Sequence, residues 1–181
     1  MPTESPIKKE NFHCPDFDLL DVTGTNFKLT NFLQSNDVKG FLVMFICNHC
    51  PYVKSILDRL VEDIRLLQVQ HIPCIAISSN DALSYQEDSY ENMQKLAKQK
   101  NFSFPYLYDE SQTTARSFGA VCTPDFFGFD KDSILKYRGR FLNPSNPSQH
   151  ELLTAMTKIG LGDSCPKEQF PSIGCSIKWK N

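Results

Sequence analysis

The sequence predicts an α/β fold, a central mixed β-sheet flanked by helices, and three observations predict it. An unbroken apolar run, Phe41 to Ile46, gives way at Cys47-Asn48-His49-Cys50-Pro51 to apolar residues at helical spacing. A short β-branched run, His71 to Ser79, follows that helix, as a parallel strand joined by a crossover helix would. Two further strand-like runs, split by Lys131-Asp132-Ser133, lead into a last amphipathic segment, so that a hairpin and a helix close the sheet.

The elements follow in order. Residues 1 to 11 are polar and are expected to be mobile. Phe17 to Val22 and Phe27 to Phe32 flank the turn signal Thr23-Gly24-Thr25-Asn26, which reads as an N-terminal hairpin running into a short helix. Val38 to Ile46 is the first buried strand. From Tyr52 to about Val69, Val53, Ile56, Leu57, Leu60, Ile64 and Leu67 recur at helical spacing, with Asp58, Arg59, Glu62, Asp63 and Arg65 on the other side. After the second strand and a polar loop, Asp88 with Glu91 reads as a helix start, the helix reaching about Lys100. Phe104 to Tyr108 is extended. Gln112 to Phe118 is a short helix ended by Gly119, with Asp109 and Glu110 as its caps. Asp125 to Asp130 and Ile134 to Tyr137 pair, and Gln149 to Ile159 is the last helix. The tail from Leu161 is expected to be irregular. The 181 residues read as one domain, with no repeat or low-complexity segment.

Composition narrows the function classes. Hydrophobic residues make up 40% and charged residues 22%, an ordinary globular balance. The formal net charge of −2, without a Lys/Arg block, argues against a nucleic-acid partner. The apolar run from Phe41 to Cys47 is too short to span a bilayer, and the N-terminus has no apolar signal region, so a soluble, cytoplasmic protein with no membrane partner is expected. Seven cysteines, an odd number in a chain this long, do not suggest a secreted disulfide framework. Cys74 reads as a small apolar residue of a strand. Cys14 receives no role, and Cys165 and Cys175 stay open between action in trans, a tail disulfide and no role.

The chemistry is expected where the first strand meets the first long helix. Unpaired N–H groups and the helix dipole stabilise a thiolate at such a point, so the CxxC reads as a redox signature of the thioredoxin type. Cys47, placed nearest the solvent and the N–H groups, is the expected nucleophile, and Cys50 the resolving thiol. His49 is expected to stabilise the thiolate further. A structural zinc site on the same cysteines would need a second CxxC or a His pair, which the sequence lacks; no metal and no other cofactor is expected. Thr123-Pro124 precedes an apolar strand. Position alone makes the proline a strand-start breaker; with the CxxC it becomes a substrate-binding loop with a cis bond facing the thiols. Cys122, two residues before that proline, is then a candidate third redox thiol near Cys47. Arg140, or Arg138, is a candidate thiolate stabiliser, against the plainer reading of a solvated basic pair. A buried carboxylate beneath the CxxC is not apparent, Phe41 occupying that point in the strand.

These motifs carry a resemblance. Phe45 to Val53, Phe104 to Asp109, Gly119 to Phe127 and Pro171 to Trp179 are similar to the peroxiredoxin-like, thioredoxin-fold proteins of the alkyl hydroperoxide reductase and thiol-specific antioxidant superfamily, over nearly the whole chain. The resemblance implies a thioredoxin-like fold with an N-terminal extension and an inserted helix, and redox chemistry at Cys47. One departure matters. Typical peroxiredoxins carry Thr or Ser three residues before the reactive cysteine and Pro four residues before that; here Met44 and Gly40 stand there, and Met44 cannot donate a hydrogen bond to a peroxide. The sequence therefore favours a thiol–disulfide oxidoreductase acting on a disulfide-bearing protein. A thiol-dependent peroxidase with Cys47 as the peroxidatic cysteine is the second reading, and a redox-sensing or metal-handling module without turnover the third. Either enzyme implies an external thiol reductant such as thioredoxin or glutathione.

Overall fold

The structure, a computed structural model, describes residues 2–6, 11–34 and 37–180. In chain order the elements are β1 (Pro2–Glu4), β2 (Asp18–Asp21), β3 (Asn26–Lys28), α1 (Leu29–Phe32), β4 (Gly40–Phe45), α2 (Pro51–Gln68), β5 (Cys74–Ser78), α3 (Tyr90–Gln99), β6 (Tyr106–Tyr108), α4 (Thr113–Phe118), β7 (Cys122–Thr123), β8 (Asp125–Asp130), β9 (Leu135–Arg138), α5 (Glu151–Leu161) and β10 (Ile173–Ser176). Seven strands form one mixed sheet in the order β3-β2-β6-β5-β4-β8-β9. β4 lies inside it, parallel to β5 and antiparallel to β8. All six β4 residues are buried because both faces are covered.

Side-chain alternation divides the core. Leu42, Met44 and Ile46 enter one cluster with Leu60 and Ile64 of α2, Met156 of α5, and both motif cysteines. Phe41, Val43 and Phe45 enter the other, where Phe118, Phe127 and Phe129 pack ring against ring. Phe41 stacks on Phe129 at 5.0 Å and so lies across the sheet from the thiols, not beneath them. α5 comes close to β8 because Gly128 carries no side chain: a Cβ there would stand 2.4 Å from Met156 Sδ.

The ends of the chain depart from the sequence reading. Residues 1 and 7–10 of the segment expected to be mobile lie outside the described residues, but 2–4 form a strand. The tail expected to be irregular contains β10, which lies between β1 and β7 in a separate three-stranded sheet. Neither strand announces itself by alternation, since each is short and its pairing partner is remote in sequence. Beyond β10 the tail is tied down: Asp81 N–H donates to Lys178 O (2.8 Å), Lys178 N–H to Asn80 Oδ1 (2.9 Å), and Arg116 lies 4.4 Å from the Trp179 ring centre. Among the described residues no helix is long and apolar enough to cross a membrane.

Candidate active site

The β4–α2 junction positions two thiols differently. Pro51 occupies the first position of α2, where its missing N–H costs nothing, so the helix starts after the motif and Cys50 becomes its N-cap. The turn Asn48–His49 is held from below by Asp88, a fully buried carboxylate at the end of a 3₁₀ turn. Asp88 Oδ1 accepts the N–H groups of Asn48 (2.7 Å) and His49 (3.2 Å), and Oδ2 accepts from Asn80 Nδ2 (2.7 Å) and meets His49 Nδ1. The N–H groups expected to stabilise a Cys47 thiolate are thereby consumed by a carboxylate.

Opposite the motif stands the loop before β8, where the Thr123–Pro124 bond is cis. Thr123 meets both sulfurs: its Oγ1 lies 3.2 Å from Cys47 Sγ, and its carbonyl accepts from Cys50 Sγ at 3.2 Å.

The electrostatics separate the two thiols. The Cys47 thiol is pushed far up, chiefly by donating its hydrogen to Cys50, then by burial and the Asp88 charge, with only the Thr123 hydroxyl acting strongly the other way. Cys50 is lowered to about 4: the Cys47 thiol is the largest cause, and Cys175 and the Val53 N–H of the first helical turn help, against burial. The two thiols titrate as one unit: the geometry lays the Cys50 hydrogen on the Thr123 carbonyl, and when the pair ionises, the helix side favours the charge on Cys50.

Several expectations need correction. Cys47 is not nearest the solvent; it and Cys50 are both 0% exposed, because the motif turn sits on Asp88 on one side and the β7–β10 strand pair covers the other. His49 has its Nδ1 on Asp88 and its ring stacked on Tyr85 at 5.7 Å, while a ring nitrogen stands within 4.8 Å of the Cys47 sulfur. Cys122 lies close enough to the pair for the Cys50 and Cys175 thiols to act on it, after Asp125 and Arg138; its own thiol donates to Pro124 O (3.7 Å), and burial pushes it up. Arg140 does not reach a thiolate: Glu151 takes its guanidinium through two bonds of 2.8 and 2.7 Å. Arg138 is not solvated. It is buried against Asp125 (2.8 Å) and Gly119 O (2.8 Å), and burial holds the Asp125 carboxyl up at about 6.

Sequence reasoning also missed a residue. Asp88 was expected to start a helix, but Ser89 is the N-cap of α3, accepting from Asn92 N–H, which frees Asp88 to hold the motif turn. No spacing signals this, because Asp88 lies 38 positions beyond Cys50. Asp109, by contrast, is the cap foreseen for α4, accepting from Thr114 and Ala115 N–H, whereas Glu110 is exposed. Cys47, His49 and Asp88 place one donor atom each within 4.8 Å of one another. The four hydrogen bonds already on the Asp88 oxygens fill its acceptor positions, so these residues do not form an open metal site.

Residues 11–138 match the model of the AhpC/TSA family. A search of the curated proteins returned no match. Among solved structures, an uncharacterized conserved protein from Geobacillus kaustophilus is 39% identical, with a TM-score of 0.92 over 99% of this chain and 97% of that one. Peroxidoxin BcpB from Mycobacterium tuberculosis shares 18% identity at a TM-score of 0.60 over 85% of this chain and 94% of that one. The thioredoxin domain of a thiol-disulfide oxidoreductase from Bacteroides vulgatus shares 14% at 0.59 over 73% and 89%. The last two likenesses show a thioredoxin-like fold.

Proposed function

This chain belongs to the AhpC/TSA family, and from that premise and the disposition of its thiols we propose that it is a thiol–disulfide oxidoreductase working through the Cys47–Cys50 pair and the Thr123–Pro124 loop. The observation that carries the reading is the convergence of both sulfurs on Thr123, the residue before Pro124. In this reading the Cys50 thiolate attacks a substrate disulfide and one substrate thiolate departs. Cys47 then attacks the Cys50 sulfur of the mixed disulfide, expelling the second thiolate, which takes the Cys47 proton. That order reverses the roles expected from sequence, because the helix N-terminus serves Cys50 while Asp88 crowds Cys47. A cavity of about 320 Å³ lined by Tyr52, Ile56, Pro124, Phe126 and Ile173 would take an apolar side chain of an extended partner. An external thiol such as thioredoxin or glutathione would return the pair to its reduced form.

The test is alkylation of the reduced protein between pH 5 and 8, each cysteine followed by mass. With its thiol at about 4, Cys50 should alkylate at a rate that hardly changes with pH. An ordinary thiol slows by about tenfold for each unit below its pKa. Glutathione disulfide should then close a Cys47–Cys50 bond; no such bond, with Cys50 inert, would falsify the reading. One observation favours thiol peroxidase as a second reading: the Thr123 hydroxyl supplies at Cys47 the donor that Met44 lacks. Rapid hydrogen peroxide consumption by Cys50→Ser, leaving a sulfenic acid on Cys47, would decide for it.

A further inference from the structure

β10 brings a third thiol to the pair from the far end of the chain. Its register sets Cys175 opposite Pro2 on one side and opposite Thr123 on the other. Thr123 is the residue on which the Cys47 and Cys50 sulfurs converge, and cross-strand neighbours lie about 5 Å apart. Cys175 packs against the core cluster that contains both motif cysteines. Gly174 makes the close approach possible, since a Cβ on it would stand 2.0 Å from Thr123 O. The strand is fixed on both sides: Ser172 N–H donates to Ser5 Oγ (2.9 Å), and Ile177 N–H donates to Val121 O (2.9 Å). Cys47 and Cys50 are sealed, whereas Cys175 is only half-buried.

We propose that Cys175 is a third redox thiol, exchanging with Cys50 and carrying disulfide exchange between the sealed pair and the surface. The edge of β7, where an extended partner would pair, is filled by the chain's own strand, and that strand carries a thiol. When the pair is oxidised, the Cys175 thiolate attacks the Cys50 sulfur. The Cys50–Cys175 bond forms, the Cys47–Cys50 bond breaks, and the electron pair leaves on Cys47, which takes up the proton lost by Cys175. An external thiol then attacks Cys175, the more accessible end, and Cys50 departs as the thiolate; a second external thiol attacks the mixed disulfide left on Cys175, leaving as an external disulfide and returning Cys175 to a thiol. The exchange itself is isoelectronic; the oxidising equivalents come from a substrate disulfide and the reducing ones from the external thiol. Hydrogen bonding from the Cys175 thiol and N–H helps keep Cys50 ionised, which makes it a good leaving group.

The proposal rests on the reading of Cys47–Cys50 as a redox pair, and the test separates the two. Reduced full-length Cys47→Ser protein is treated with one equivalent of glutathione disulfide and its peptides are mapped by mass. A Cys50–Cys175 disulfide is expected as the main internal linkage. In Cys47→Ser/Cys175→Ser, Cys50 should take up glutathione several-fold more slowly, its surface carrier being gone, and should then keep it; an unchanged uptake rate would mean that Cys175 carries nothing to Cys50. If Cys47→Ser also keeps glutathione on Cys50 while the natural sequence closes Cys47–Cys50, the proposal fails and the redox pair stands. If the natural sequence closes no Cys47–Cys50 bond and Cys50 of Cys47→Ser takes no adduct, both fail. Gly174→Ala, which pushes the strand off Thr123, should slow Cys50–Cys175 closure several-fold in the Cys47→Ser background; an unchanged rate would mean that the strand does not deliver the thiol.

Discussion

The two flanks of the thiol pair are built from opposite materials. On the Cys47 flank lie a buried carboxylate, an imidazole that faces it, and the Tyr106 phenol, which donates to Asn48 Oδ1 at 2.9 Å and which burial pushes well up. On the Cys50 flank lie a helix N-terminus, a carbonyl and a strand that carries another thiol. The first flank opposes negative charge on sulfur; on the second the helix N–H and the Cys175 groups favour it, and the Thr123 carbonyl holds the protonated form. The spacing of two cysteines therefore does not decide which is the reactive one. The start of the helix and the place of the nearest carboxylate decide it, and here a proline at position 51 starts the helix directly after Cys50, leaving Cys47 beyond the intervening turn.

The largest expected effect comes from dismantling the acidic flank. Asp88→Ala leaves two backbone N–H groups, the Asn80 amide and the His49 ring without their acceptor in a buried place. Removing one partner of such a buried charged network costs about 3–5 kcal/mol, read as the fall in unfolding free energy of the reduced protein in urea. Loss of the carboxylate charge should also bring the Cys47 thiol down while leaving the pH profile of Cys50 where it was. A shift at Cys50 instead would show that the flanks do not act separately.

What the sequence disclosed follows the same division. Local pattern sufficed for β4, α2 and β5, because burial on both sheet faces and on one helix stripe writes itself into adjacent residues. At Thr123–Pro124 the neighbours alone read as a strand-start breaker, and only the distant CxxC pointed to a loop facing the thiols. Asp88 and Cys175 were illegible because each acts on the motif across a long loop or from the chain end, and each had a plausible local explanation. Asp88 fits a helix start, and Cys175 sits in a segment with little strand pattern. Arg138 was misread for a related reason: Asp125, its partner across β8 and β9, is what allows a guanidinium to be buried, and pairing is invisible in composition.

A smaller effect separates the flanks at a single residue. Thr123→Val keeps the carbonyl that serves Cys50 and deletes the hydroxyl that serves Cys47. Loss of one hydrogen bond of about 1 kcal/mol to a thiolate corresponds to roughly a fivefold slower alkylation at Cys47, with no change at Cys50. Equal slowing at both would mean that valine has displaced the loop rather than removed one contact.

The smallest effect belongs to Arg140, which lies outside both flanks. Its pairing with Glu151 ties the end of the β9 segment to the first turn of α5, and its guanidinium lies 4.3 Å from the Phe170 ring centre. Both charged side chains are 22% exposed, so the pair is partly screened even though its geometry is bidentate. Arg140→Ala should therefore cost about 1 kcal/mol, a fall in melting temperature of roughly 2–4 °C for a chain of this size. The alkylation profiles of Cys47 and Cys50 should not move, because Arg140 is absent from the principal causes that set either thiol. Were Cys50 to lose its flat profile in this variant, a guanidinium would have to be acting on the thiolate through the cavity beside Pro124, whose lining includes Arg140, and the charge on the Cys50 flank would have a source beyond the helix and the strand.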